Sequence, residues 1–140
     1  IKMSAISVGI RRFCKDILRQ YPLLKRELAV FEAERQAILE AFPSVPWEKP
    51  LQEKPLSDPT TKQLFKLLRL EERWRSHRFY VQAVEDVLSH LDEEKRKLVE
   101  LYYFDGLPAW RVAQELGLSD SSLHRYQAAI LELLARRLGI

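Results

Sequence analysis

Ser121, Ser122, His124 and Arg125 stand close together near the end of this 140-residue chain. Their hydroxyl, imidazole and guanidinium groups are the kind that read base edges. A short hydroxyl donates or accepts, and a guanidinium fork spans the two acceptors of guanine. The residues just before them supply a means of presentation, in the run Ala113-Gln114-Glu115-Leu116-Gly117-Leu118-Ser119-Asp120-Ser121-Ser122-Leu123. Ala113 is small enough for a second helix to cross closely behind it. Gly117 stands where a helix must stop and the chain must turn left-handed, a conformation that glycine enters without a Cβ penalty. Leu118 can plug the core beneath the turn, and Ser119 is a good N-cap for the next helix. Leu123 then points inward while its polar neighbours face out. The run predicts the centre of a helix-turn-helix, with double-stranded DNA as the ligand. Arg125 is the best candidate for a bidentate contact to guanine, and Arg111 and Gln127 are candidate phosphate contacts. The bland alternative is a helical hairpin that merely ends in glycine.

The elements that must carry this motif are helical. Alternation of the strand type is absent, the hydrophobic fraction is 46% and glycine is scarce at 4 residues, which together predict an all-α fold with a packed core. Residues 5–19 carry Ile6, Ile10, Phe13 and Ile17 on one face. Tyr21-Pro22 is then expected to interrupt, with Pro22 opening a second helix to about residue 41 on Leu24, Leu28, Phe31, Ile38 and Phe42. Residues 43–59 hold five prolines and predict a stiff, extended connection, in which Trp47 is expected to pack back onto a neighbouring helix. Asp58-Pro59 signals the start of a long helix. Leu67, Leu70, Trp74, His77, Val81, Val84, Leu88 and Leu91 alternate spacings of three and four along it, a heptad-like seam that needs a partner. Residues 22–41 in an antiparallel hairpin, or another subunit, can supply one. Asp92 is placed to cap a helix over 93–104 with Leu98, Leu101, Tyr102 and Phe104 inward. Asp105-Gly106 stops it, and Pro108 opens a short helix ending at Leu116. The last helix runs from Asp120 to about Leu138, burying Leu123, Tyr126, Ile130, Leu133 or Leu134, and Leu138. The expected organisation is a helical hairpin and oligomerisation region over 1–91, with the Pro-rich connection at 43–59, followed by a DNA-binding helix-turn-helix over 92–140.

Charge complicates the picture. The 23 basic and 20 acidic residues leave only +3 overall. Residues 1–43 hold 8 Lys/Arg against 5 Asp/Glu, residues 44–91 hold 8 against 7, and residues 92–140 hold 7 against 8. The expected reading head is thus −1, although Asp92, Glu93 and Glu94 sit where a helix N-terminus favours negative charge. One copy should hold phosphate only modestly, which favours a homodimer or small homo-oligomer. Lys95-Arg96-Lys97 is expected to be a solvated face or to lie along DNA. The single cysteine, Cys14, excludes an internal disulfide framework and suits a reducing cytoplasm. No apolar run approaches the ~20 residues of a membrane span, and no signal-peptide pattern is visible, so a cytoplasmic location is expected. No catalytic residue, metal site or cofactor is predicted. His77, His90 and His124 are scattered, His77 reads as a hydrogen-bonded core residue, and Asp86 with His90 lacks a third ligand.

The run Leu98-Val99-Glu100-Leu101-Tyr102-Tyr103-Phe104-Asp105-Gly106-Leu107, then the turn and a long final helix, resembles region 4 of bacterial sigma factors. The whole chain resembles RinA/ArpU-type phage transcriptional regulators, with Tyr21-Pro22 near the start of a charged helix, a broken linker, a long charged helix and a sigma-region-4-like end. That resemblance implies a sequence-specific activator of phage late or packaging genes, acting in a bacterial host cytoplasm, with host RNA polymerase as a candidate partner at the exposed face of 60–90. Two positions depart from the family. Leu107-Pro108 replaces the usual Ser or Thr cap, and Asp120 puts an acid at the tip of the recognition helix. Two alternatives stand beside the activator: a small-terminase-like DNA-packaging recognition subunit, and a helical protein-interaction module.

Overall fold

The computed structural model describes residues 6–41 and 59–140; the proline-rich connection, Trp47 and Phe42 lie outside the described residues. The fold is all-α. Its helices are α1 (Val8–Ala41), α2 (Pro59–His90), α3 (Glu93–Leu98), α4 (Ala109–Leu116) and α5 (Asp120–Leu138), with a π-helical turn, Val99–Phe104, continuing α3. No helix among the described residues is long and apolar enough to cross a membrane. The chain divides into two compact units, Ile1–Leu24 with Phe79–Ile140, and Lys25–Arg78.

The first unit holds most of the core. Cys14, Leu18, Leu98, Val99, Val112, Ile130 and Leu134 have no exposed surface at all. Burial raises the Cys14 thiol pKa above its usual range, as expected of an inert, apolar cysteine. The expected break at Tyr21-Pro22 does not occur, because α1 runs through Pro22 without interruption. A proline inside a helix removes one donor and crowds the preceding turn, at a cost of about 3 kcal/mol. Here Leu18, Tyr21 and Leu24 are all buried around it, so tertiary burial outweighs the local penalty. Tyr21 is the anchor. Its ring stacks on Phe104 with centroids 4.9 Å apart, and its hydroxyl donates to Glu85 Oε2 at 2.7 Å. The buried stripe of the first turns also differs from expectation. Cys14 and Leu18 are buried beside Ile17, whereas Phe13 remains 40% exposed and meets Tyr80 edge to face.

Asp92 caps α3 as its position predicts, its Oδ1 accepting from the Lys95 backbone N–H at 2.9 Å. That bond and the Lys95 ammonium hold the Asp92 carboxyl below the usual carboxylate range. Its contribution to stability is therefore present above the ordinary carboxyl pKa and is lost as pH falls through the lowered one. Beyond Leu98 the helix widens: the Asp105 N–H reaches back five residues to the Glu100 carbonyl at 2.8 Å. The extra residue per turn rotates the inward face. Val99 and Tyr103 are buried with Leu98, while the expected Leu101, Tyr102 and Phe104 are half-buried.

The Lys95-Arg96-Lys97 run is not one solvated face. Arg96 is half-buried and donates through Nε to the Leu88 carbonyl at 3.3 Å and through a terminal nitrogen to the Leu91 carbonyl at 3.0 Å. It thus adds a charged donor to carbonyls at and just past the end of α2, of which that of Leu88 also accepts from the Leu91 N–H at 3.2 Å, and sets a positive charge at the negative end of that helix. Lys95 lies over the Tyr126 ring, 4.7 Å from its centroid, and pairs with Asp92 at 3.1 Å.

The second unit is an antiparallel pair formed by 25–41 and 59–78. Arg35 bonds Glu71 at 2.9 Å, Trp74 Nε1 donates to Glu32 at 3.2 Å, and His77 Nε2 bonds Glu27 at 2.9 Å. The descending partner numbers fix the direction. Leu67 and Leu70 are buried beneath this ladder, and Phe31 meets the His77 ring edge to face at 5.0 Å. His77 is the hydrogen-bonded seam residue that its position predicts, with Nδ1 against the Arg73 carbonyl.

Replacing Arg96 by Met should lower stability by about 1–2 kcal/mol, because two carbonyls lose a charged donor; urea denaturation against Lys97→Met as the exposed control measures it. The Tyr103 hydroxyl is buried and has no hydrogen-bond partner among the described residues, and burial drives its pKa far upward. Tyr103→Phe should therefore leave stability unchanged or raise it by up to about 1 kcal/mol, where loss of a satisfied hydroxyl would lower it.

Candidate nucleic-acid interface

The turn between α4 and α5 is built by two capping arrangements in succession. Gly117 adopts φ +67°, ψ 35°. The Leu118 N–H reaches back to the Ala113 carbonyl at 2.9 Å, and the Gly117 N–H to Gln114 at 3.3 Å. This pair of bonds is a Schellman closure, which satisfies the last carbonyls of α4 only if one residue turns left-handed. A Cβ placed on Gly117 would meet nothing within 4 Å, so the demand for glycine here is one of backbone conformation and not of space. Two residues on, Ser119 in an extended conformation accepts from the Ser122 N–H at 3.1 Å and starts α5. Leu118 lies half-buried beneath the bend, and Leu123 is buried. At the other end of α4, Pro108 occupies the N-cap position and not the first helical position expected of it. Its carbonyl accepts the first bonds, from Arg111 and Val112 at 3.0 and 3.1 Å, and no side chain caps the helix.

α5 therefore begins at the surface. Ser121, His124 and Arg125 are exposed, and Ala128 and Ala129 continue the exposed side with small side chains. Ser122 is half-buried, and its hydroxyl is engaged locally: it accepts from Ser119 at 3.1 Å and from Arg125 at 3.0 Å. Its placement makes it a support for the Arg125 guanidinium. Gln127 is half-buried. Arg111 is exposed on α4 and pairs with Glu115 at 3.5 Å. Asp120 is exposed in the first turn of α5, where the helix dipole favours a carboxylate.

Local pairing sorts the cations. Arg136 pairs with Glu132 at 2.8 Å and Arg137 with Asp86 at 2.8 Å, so the basic tail of α5 is engaged within the chain. Arg125 bonds only to the neutral Ser122 hydroxyl, and no carboxylate lies within ion-pair distance of it among the described residues. Its charge is available to a ligand. Tyr126 is half-buried beside it in sequence but faces α3, where a hydrogen bond to the Glu94 carboxylate raises its phenol pKa.

One exposed residue near the turn escaped the sequence reading. Trp110, in the first turn of α4, is 67% exposed. The signal was present. Val112, Ala113 and Leu116 define the inward side of α4, and 110 falls off that stripe at 100° per residue. An indole left in water on the helix before the Gly117 turn supplies a flat apolar face and one N–H donor. Among the described residues no group of three or more His, Cys, Asp or Glu is arranged to hold a metal ion.

Residues 81–134 match the family described as Sigma-70, region 4. The match begins in the last part of α2 and ends in α5, and so encloses the Gly117 turn and every residue named for the interface. Comparison with curated proteins and with solved structures gave no match. Over these residues the helix-turn-helix is similar to region 4 of sigma-70 factors, a DNA-binding regulatory module.

Gly117→Val should cost about 1–2 kcal/mol through left-handed backbone strain alone, whereas Gly117→Asn should cost less. Chemical denaturation of both variants checks the order, and equal stability of Val and Gly at this position would contradict it.

Proposed function

We propose that the protein is a sequence-specific DNA-binding transcription regulator that inserts the N-terminal half of α5 into a major groove. The carrying observation is the Gly117–Ser119 turn, which leaves Ser121, His124 and an un-neutralised Arg125 exposed at the start of a helix. In this reading Arg125 reaches a guanine edge, with Ser122 holding its guanidinium. Ser121 and His124 read neighbouring positions. Arg111, Gln127 and Trp110 contact the sugar-phosphate backbone. Pairing of Arg136 and Arg137 within the chain leaves few cations for phosphate near the reading helix, which supports a dimer or small oligomer on DNA.

Assignment to phage late or packaging genes rests on the RinA/ArpU-like layout of the sequence. The match to sigma-70 region 4 supports host RNA polymerase as a partner in activation.

Selection of bound duplexes from a random pool, run with the native chain and with Arg125→Ala, tests the reading. The substitution should relax preference at one base pair and cost about 1–3 kcal/mol in affinity for the selected site. An unchanged preference at every position would remove Arg125 from the interface, and no duplex binding at low salt would remove the function.

A further inference from the structure

We infer that the second unit carries its own binding stripe for the phosphate backbone of duplex DNA, along the outer face of α2. Lys62, Lys66, Arg69 and Arg73 follow spacings of four, three and four. On an α-helix these positions fall on one face, and at 1.5 Å per residue they extend over about 16 Å. All four are exposed. Among the described residues none of their side chains has a carboxylate within ion-pair distance, while Arg35, on the facing helix of the same unit, is paired with Glu71. Among the described residues the carboxylates that border the stripe are Glu34, which shares a shallow depression with Lys66, Arg69 and Arg73, and Glu72, which borders Lys62, Lys66 and Arg69. Two acids against four bases among these residues leave the described face positive.

This arrangement works against the helix that bears it. Like charges three or four apart destabilise a helix by about 0.2–0.5 kcal/mol per pair, and Lys62–Lys66, Lys66–Arg69 and Arg69–Arg73 are three such pairs in succession. Phe65 and Leu68, 46% and 51% exposed, stand beside the same cations. A polyanion removes the repulsion. Duplex DNA carries one charge per about 1.7 Å of axis, so roughly nine phosphates fall within the length of the stripe. The inference rests on the DNA-binding reading above in one respect, that duplex DNA is the polyanion this chain meets. It assigns the missing phosphate affinity to α2 instead of to the reading helix.

The test is the salt dependence of binding to a random-sequence duplex of about 30 base pairs, between about 50 and 200 mM salt. The native chain is compared with Lys62→Gln/Lys66→Gln/Arg69→Gln/Arg73→Gln. Each phosphate contact contributes about 0.9 to the slope of log K against log salt, so the fourfold variant should lose about 2–4 from it. The double variants Lys62→Gln/Lys66→Gln and Arg69→Gln/Arg73→Gln should each lose about half of that, which keeps the test decisive if the fourfold variant does not fold. Arg12→Gln/Arg26→Gln/Arg75→Gln removes exposed positive charge elsewhere and should change the slope by less than 1. An unaltered slope in the α2 variants, or an equal fall in the control, overturns the inference. Arg125→Ala separates it from the reading-head assignment, since that change should alter sequence preference and leave most of the slope. Loss of slope in the α2 variants with no effect of Arg125→Ala would uphold the stripe and sink the reading head.

Discussion

Helix ends govern this molecule. Each helix leaves carbonyls and N–H groups without helical partners, and a chain with several short helices must satisfy many of them within few residues. At the working end the solution is the left-handed Gly117 followed by the Ser119 cap. The Schellman closure fixes where α4 stops, and the serine fixes where α5 starts. With both ends set, Leu118 and Leu123 face inward and Ser121, His124 and Arg125 face outward without any further instruction. The end of α2 is treated differently. There the Arg96 guanidinium reaches back to the Leu88 and Leu91 carbonyls, so a residue of α3 finishes the helix before it.

The same logic explains how α5 is held. A recognition helix can read bases only if its own position is rigid, and its buried side supplies that rigidity. Ile130, Leu131, Leu134 and Ala135 are fully or almost fully buried. Arg137 ties the last turns to Asp86 of α2, and Tyr126 ties the middle to Glu94 and Lys95 of α3. Charges that composition alone would credit to DNA are therefore consumed in fixing the helix. The near-neutral charge of residues 92–140 thus includes cations that serve to hold α5 in place.

What could be read from residues alone followed from how local the cause was. The turn, the caps at Asp92 and Ser119, the seam through Leu67, Leu70, Val81 and Val84, and the hydrogen-bonded His77 all follow from residues within a turn or two of each other. The misreadings have distant causes. Pro22 obeys no local rule here, because Leu18, Tyr21 and Leu24 are buried on either side of it and Tyr21 is locked to Phe104 and Glu85. The wide turn at Val99–Phe104 shifts the inward face by a residue, which a uniform 3.6-residue period could not anticipate. Arg96 belonged to an apparent charge run until its partners eight and five residues earlier were placed. The exposure of Trp110 is legible in the sequence, since the inward stripe of α4 through Val112, Ala113 and Leu116 excludes it.

On the proposed reading, specificity and affinity fall to different parts of the chain. A helix that reads bases gains from few, well-oriented charges, because loose cations bind any sequence equally and dilute discrimination. Arg125, braced by Ser122 and lacking a carboxylate partner, meets that requirement. Phosphate affinity makes the opposite demand, for several mobile cations with no internal partner, and it tolerates imprecise placement. In that reading Lys62, Lys66, Arg69 and Arg73 meet it from a helix pair in which, among the described residues, Leu67 and Leu70 are the buried leucines. A stripe without carboxylate partners in one unit, and a helix anchored by its buried side with one free guanidinium in the other, is the distribution that this division of labour requires.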